Sequence, residues 1–151
     1  MTLATDWIPF GRGVRVVATH ECGLIAVEKP DGILSHPNPG EVAEKGAILI
    51  TGNYSLDEEA FHVRDGKGGI RRVYLLNRLD SPTSGTLLLS LDEGVADLVR
   101  KMFARSQVMK RYVALIRGRG LRTPPGPLVL AIWSCQVPRG ARRPRPRMRA
   151  T

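Results

Sequence analysis

Apolar and polar residues alternate in short bursts along the first hundred or so positions of this chain, and most bursts are too brief for helices. Residues 14–19 (Val-Arg-Val-Val-Ala-Thr) and 24–27 (Leu-Ile-Ala-Val) read as two strands joined by a His-Glu-Cys-Gly turn. Residues 30–40 contain three prolines and two glycines and read as loop, interrupted by the apolar pair Ile33-Leu34. A further short strand is expected over residues 47–51. Residues 55–69 are charged and end in Asp65-Gly66-Lys67-Gly68-Gly69. That glycine cluster lacks the Lys-Ser/Thr ending of a phosphate loop and no helix pattern follows it, so it reads as flexible loop. Strands are expected again at 73–76 and 86–91, on either side of a turn.

Residues 92–105 change period. Val95, Leu98, Val99, Met102 and Phe103 fall at i, i+3, i+4, i+7 and i+8, the stripe of an amphipathic helix whose apolar face should be core. Asp92 is placed to cap it, acids fill its first turn and cations its last turns, matching the helix dipole. Residues 108–116 then return to strand, with Lys110, Tyr112 and Ala114 on one face and Met109, Arg111, Val113 and Leu115 on the other. Strands with one helix packed against them predict an α+β fold: a mixed, mostly antiparallel sheet with one main amphipathic helix.

At 151 residues the chain is one domain's worth, and its 42% hydrophobic content suits a globular core. No apolar run approaches the roughly 20 residues needed to cross a bilayer. The N-terminus has neither a basic start nor an apolar signal core, so a cytoplasmic location is expected. Cys22 and Cys135, far apart and without Cys-x-x-Cys spacing, are expected to be buried reduced thiols. His20, His36 and His62 are scattered without ligand spacing, so no metal is expected.

Charge divides the chain. Residues 1–97 carry 9 Lys/Arg and all 14 Asp/Glu, whereas residues 98–151 carry the other 14 Lys/Arg and no acid. An acid-free basic half suits a polyanion partner, and it also suits a solvated basic helix followed by a basic tail. Residues 120–127 are rich in Pro and Gly and 128–133 form a short apolar run. Of the fourteen residues 138–151, six are Arg and three Pro, a composition that builds no core and predicts a disordered tail.

The chemistry concentrates at Asn77-Arg78-Leu79-Asp80-Ser81-Pro82-Thr83-Ser84-Gly85. If residue 80 closes a strand, Arg78 and Asp80 point one way and Leu79 points into the core. An acid and a cation then share the rim of a sheet, as a nucleophile or base held on a rigid element would require. A hairpin whose Asp and Ser only satisfy turn amides has the same spacing.

This segment resembles the His-Arg-Leu-Asp-x-x-Thr-Ser-Gly signature of the RluA family of RNA pseudouridine synthases. Upstream, Leu24-Ile25-Ala26-Val27-Glu28-Lys29-Pro30-Asp31-Gly32-Ile33-Leu34-Ser35-His36-Pro37 is similar to that family's opening strand, its Asn-Lys-Pro and its His-Pro. Downstream, residues 103–118, with Val108-Met109-Lys110-Arg111-Tyr112-Val113-Ala114-Leu115, are similar to its Val-x-Lys-x-Tyr-x-Ala-Leu segment. The three segments occur in the family's order across residues 14–118.

The resemblance implies a cofactor-free isomerisation of uridine to pseudouridine in ribosomal or transfer RNA. It places the acting carboxylate at Asp80, with attack on C1′, attack on the ring and deprotonation at C2′ all open. Arg78 would fill the space left by a flipped base, or simply pair with Asp80. Tyr112 would stack on the uracil and assist at C5, or be an ordinary core tyrosine; Lys110 would contact phosphate. Lys29-Pro30 and His36 would be scaffold at the pocket's rim, and Thr83, Ser84 and Gly85 would shape the turn. Two departures stand out: Asn77 replaces the signature's His, and no Gly-Arg-x-His-Gln-Ile-Arg motif follows residue 118. The expected organisation is therefore an irregular lead-in (1–13), a partial catalytic domain incomplete at its C-terminal side (14–137) and an Arg/Pro-rich tail (138–151). An inactive remnant, or an RNA-binding fragment of such an enzyme, is the alternative reading.

Overall fold

The computed structural model describes residues 4–38, 46–115 and 130–134. The chain forms two compact units, Met1–Lys101 and Met102–Thr151. The first holds six strands: β1 (Arg15–Thr19), β2 (Leu24–Lys29), β3 (Asn53–Ser55), β4 (Ala60–Arg64), β5 (Ile70–Leu75) and β6 (Gly85–Ser90), in spatial order β1-β2-β6-β5-β4-β3. Helix α1 (Glu93–Ala104) follows and runs on into the second unit, which contains the antiparallel pair β7 (Arg111–Leu115) and β8 (Leu130–Ser134). The α+β class holds. Every ladder among the described residues is antiparallel, and the parallel component of the expected mixed sheet reduces to an isolated bridge, Leu34↔Ile48.

The core of the first unit lies on one side of the six-stranded sheet. Ile25, Val27, Phe61, Val63, Val73, Leu75, Leu87 and Leu89 come from four strands at period two, and Ile48, Leu49 and Ile50 pack with them. Residues 47–51 are thus buried, but they make bridges to Leu34 and Phe10 and no ladder, because their backbone runs across the sheet's core side between two loops. The lead-in is also less peripheral than expected: Ile8 enters the core, and Gly11 passes so close to Ile48 that a Cβ would lie 2.0 Å from its carbonyl oxygen.

Residues 55–69 differ most from expectation. They contain β4, whose Phe61 and Val63 are buried while His62 and Arg64 face outward. The charged residues between them conceal the alternation. The glycine cluster is the β4–β5 hairpin loop, closed by the Asp65 carboxylate, which accepts from Lys67 N (3.1 Å) and Gly69 N (2.7 Å). Cys22, expected to be buried, is exposed beside His20; Cys135 lies outside the described residues, as do residues 120–127 and the tail at 138–151.

Helix α1 starts where Asp92 predicts it. The Asp92 carboxylate accepts from Val95 N at 2.8 Å and its carbonyl from Ala96 N at 3.0 Å. Its apolar stripe is core only in part: Val95, Val99 and Phe103 are half-buried, but Leu98 is 60% and Met102 36% exposed, and Ala96 is the fully buried position. The face turned to the first unit's sheet carries Ala96 and Arg100, whose guanidinium donates to the carbonyls of Glu58, Glu59 and Leu75 at 3.0–3.2 Å. An Asp92→Ala variant should lose about 1 kcal/mol of stability, read as a shifted urea midpoint with unchanged slope.

Candidate active site

Strand register explains how the site forms. β2 and β6 pair antiparallel with Lys29 opposite Gly85, so the loop leaving β2 and the turn entering β6 emerge at the same end of the sheet. Lys29, the last residue of β2, has no exposed surface. Its Nζ donates to Ile33 O (2.7 Å), Pro30 O (2.9 Å) and Ser81 O (3.1 Å), tying both segments together. Gly32 N donates to Ser81 O at 2.8 Å. Ser35 adds a reciprocal pair, its hydroxyl donating to Leu79 O (2.6 Å) and accepting from Leu79 N (3.1 Å). Burial pulls the Lys29 ammonium below its usual range, against the carboxylates of Asp31 and Asp80, which act in the opposite direction.

The Arg-Leu-Asp segment is held by these bonds and not by a strand. β5 ends at Leu75 and β6 begins at Gly85, so residues 77–80 are extended but unladdered. Asn77 causes the separation: its side-chain oxygen accepts from Leu88 N at 2.8 Å and its amide donates to Thr86 O at 3.4 Å, standing in for backbone pairing. The main chain beyond it is free to swing towards Ser35. Alternation survives the loss of the ladder, with Leu79 packed on the core and Arg78 and Asp80 exposed. Thr83 N donates to Asp80 O at 2.9 Å, closing the turn, and Gly85 completes it at φ 145°, where a side chain would press on Leu79.

Leu34, Ser35, His36, Asn38, Arg78, Leu79, Asp80 and Ser81 line a cavity of about 410 Å3, a size suited to small ligands. Among the described residues no ion pair joins Arg78 to Asp80. Arg78 instead donates from Nη1 to Nε2 of His36 at 3.1 Å. His36 in turn donates from Nδ1 to Pro37 O (2.8 Å) and stacks on Tyr54, ring centroids 5.1 Å apart and planes 13° from parallel. Tyr54 leans on the buried Phe61 at 4.7 Å, and burial pushes its phenol above the usual range.

The remaining two candidate residues lie in the second unit. Tyr112 is on β7 opposite Trp133 and is 44% exposed, so it is no core tyrosine. Lys110 precedes β7, its ammonium 4.8 Å from the Phe103 ring centroid. Sequence reasoning placed Lys29-Pro30 and His36 at the rim of the pocket; His36 lines the cavity, whereas Lys29 is buried and holds the two segments from the interior. That reasoning missed Ser35 and Tyr54, whose partners are distant in sequence. It also passed over the structural work of Asn77, for which a side-chain amide between two strands is the available signal.

The sequence model described as RNA pseudouridylate synthase matches residues 23–140. The chain belongs to that family. The match covers both segments that build the cavity. Among curated proteins, the tRNA pseudouridine synthase C of Pasteurella multocida (strain Pm70) is 39% identical over 95 residues, 63% of this chain and 34% of that protein. The tRNA pseudouridine synthase C of Pectobacterium carotovorum subsp. carotovorum is also 39% identical over 95 residues, covering 22% of its length. That of Haemophilus influenzae is 35% identical over 95 residues and 34% of its length. The chain thus spans about a third or less of the length of these relatives. No solved structure matches it significantly. Among the described residues no group of three or more metal-binding side chains occurs, and no helix is long and apolar enough to cross a membrane.

Proposed function

We propose that this chain carries the isomerase centre of an RNA pseudouridine synthase acting on transfer RNA in the cytoplasm. The observation that carries the reading is the Asp80 carboxylate, exposed in a nucleoside-sized cavity beside Arg78, on a backbone whose neighbouring residues Leu79 and Ser81 are bonded by Ser35 and Lys29. The names of the relatives favour transfer over ribosomal RNA as substrate. In this reading residues 14–137 belong to the catalytic domain and the Arg-rich tail at 138–151 adds charge for a polyanion.

The reaction breaks the uridine N1–C1′ bond and forms C5–C1′; C5 loses a proton to water and N1 gains one, so no co-reactant is consumed. Asp80 acts as nucleophile or base on the nucleoside. The target atoms are inaccessible in a base stack, so the uridine must flip out, and Arg78 takes its place among the neighbouring bases. Tyr112 stacks on the flipped uracil and assists proton loss at C5, and Lys110 contacts phosphate.

The test is release of tritium from C5-labelled uridine in bulk transfer RNA, without added metal or cofactor. Release by the chain supports the isomerase reading, and an Arg78→Ala variant should be slowed about 100-fold, since flipping costs a few kcal/mol. RNA binding without release would support the RNA-binding fragment instead.

A further inference from the structure

We propose that His36 is the positioning residue that holds the Arg78 guanidinium away from Asp80 and so keeps the carboxylate open to the nucleoside. Its functional consequence rests on the isomerase reading above; the geometry does not. Arg78 and Asp80 are two residues apart, both exposed, and both line one cavity. An unrestrained arginine there would fold onto the carboxylate, neutralising it and covering it. That pairing is weak at an exposed site, so one well-placed acceptor is enough to redirect the guanidinium.

His36 is built as such an acceptor. Its Nδ1–H is donated to Pro37 O at 2.8 Å, which leaves Nε2 with a lone pair aimed at Arg78 Nη1, 3.1 Å away. The ring cannot turn easily, because it lies flat on Tyr54, itself backed by Phe61 in the core. The preceding residue, Ser35, clamps Leu79 from both sides of its peptide, so the distance between the loop of His36 and the backbone of Arg78 is fixed. Acceptor, ring plane and backbone spacing are thus set by three separate contacts. Arg78 is held at one wall of the cavity until RNA supplies a better partner.

Two substitutions separate acceptor from ring. His36→Phe keeps the stack on Tyr54 and removes the acceptor; His36→Gln removes the stack and returns an oxygen near the position of Nε2. With bulk transfer RNA as probe, His36→Phe should lower the turnover rate about tenfold with little change in half-saturating RNA, and His36→Gln should restore most of it. In an Arg78→Ala background His36→Phe should have no further effect. A role in packing alone predicts the reverse order, with Phe tolerated and Gln impaired. That order, or a full His36→Phe effect without Arg78, would overturn the proposal.

If the parent releases no tritium, the isomerase reading fails and the geometry is decided by nitrogen-15 NMR of the free protein. A distinct, slowly exchanging Arg78 guanidinium resonance in parent and His36→Gln, lost in His36→Phe, sustains the positioning role. An Arg78 signal indifferent to both substitutions ends it.

Discussion

An Asp80→Asn variant should bind bulk transfer RNA at least as tightly as the parent and release tritium from C5 of uridine about 10²–10⁴-fold more slowly, or not at all. The exchange is close to isosteric, so shape is kept and only charge and nucleophilicity are lost. Folding should not suffer. The contact that Asp80 makes to its turn comes from its carbonyl, which accepts from Thr83 N, and the variant retains that carbonyl. Its exposed side chain is in no ion pair among the described residues, and substitutions at such positions usually change stability by less than about 0.5 kcal/mol. Removing a negative charge from a surface that faces phosphates favours binding. Retained binding with lost release assigns the chemistry to this carboxylate. Equal rates in parent and variant would remove Asp80 from the mechanism, whatever the family.

The largest stability effect should come from Lys29→Met. The methionine fills much of the same space but leaves the carbonyls of Pro30 and Ile33 without the Lys29 donor, while Ser81 O keeps only Gly32 N. Each buried orphan costs about 1–3 kcal/mol, and release from burying an ammonium returns part of it, so a net loss of about 3 kcal/mol is expected. For a domain of this size that is a fall in melting temperature of roughly 10 °C or more. Activity should fall as well, because Ser81 and the 30–34 loop lose their common anchor.

The substitution should also carry a pH signature. Burial lowers the Lys29 pKa in the folded state, while the unfolded chain keeps the usual value of 10.5. Between the two values the unfolded state binds more protons, so the parent gains stability as pH rises through that window; below it, the cost of the buried charge is fully present. Tyr54 and Tyr74, both raised by burial, act with the opposite sign above pH 10.0, where rising pH destabilises the fold. Both proteins carry the tyrosines, whose contribution cancels in the difference. In urea melts the parent should gain relative to Lys29→Met as pH rises to 10.5; a difference constant up to that pH would remove the burial effect on Lys29.

Local patterns were legible where one physical signal dominated. β1, β2, β6 and α1 appear within a few residues of where alternation and the Asp92 cap put them. β4 was hidden because Glu58, Glu59, His62 and Arg64 crowd the only two inward positions that announce it, Phe61 and Val63. The stripe on α1 misled for a different reason. Periodicity states which residues share a face, but which face meets the sheet was decided by Arg100 and its three backbone carbonyls, and Leu98 was left in solvent.

The same division runs through the site. Residue type and short spacing alone identified the family-like signature, Asp80 as the candidate carboxylate and Arg78 as its neighbour, and the resemblance implied a rim made from Lys29-Pro30 and His36. Tertiary structure decided that Arg78 bonds to His36 and not to Asp80, that Lys29 is an interior clamp and that Asn77 ends a ladder. Each of those depends on a partner 9 to 52 residues away, brought into reach by the antiparallel register of β2 on β6. Spacing along a chain carries no record of such distances until the sheet has formed.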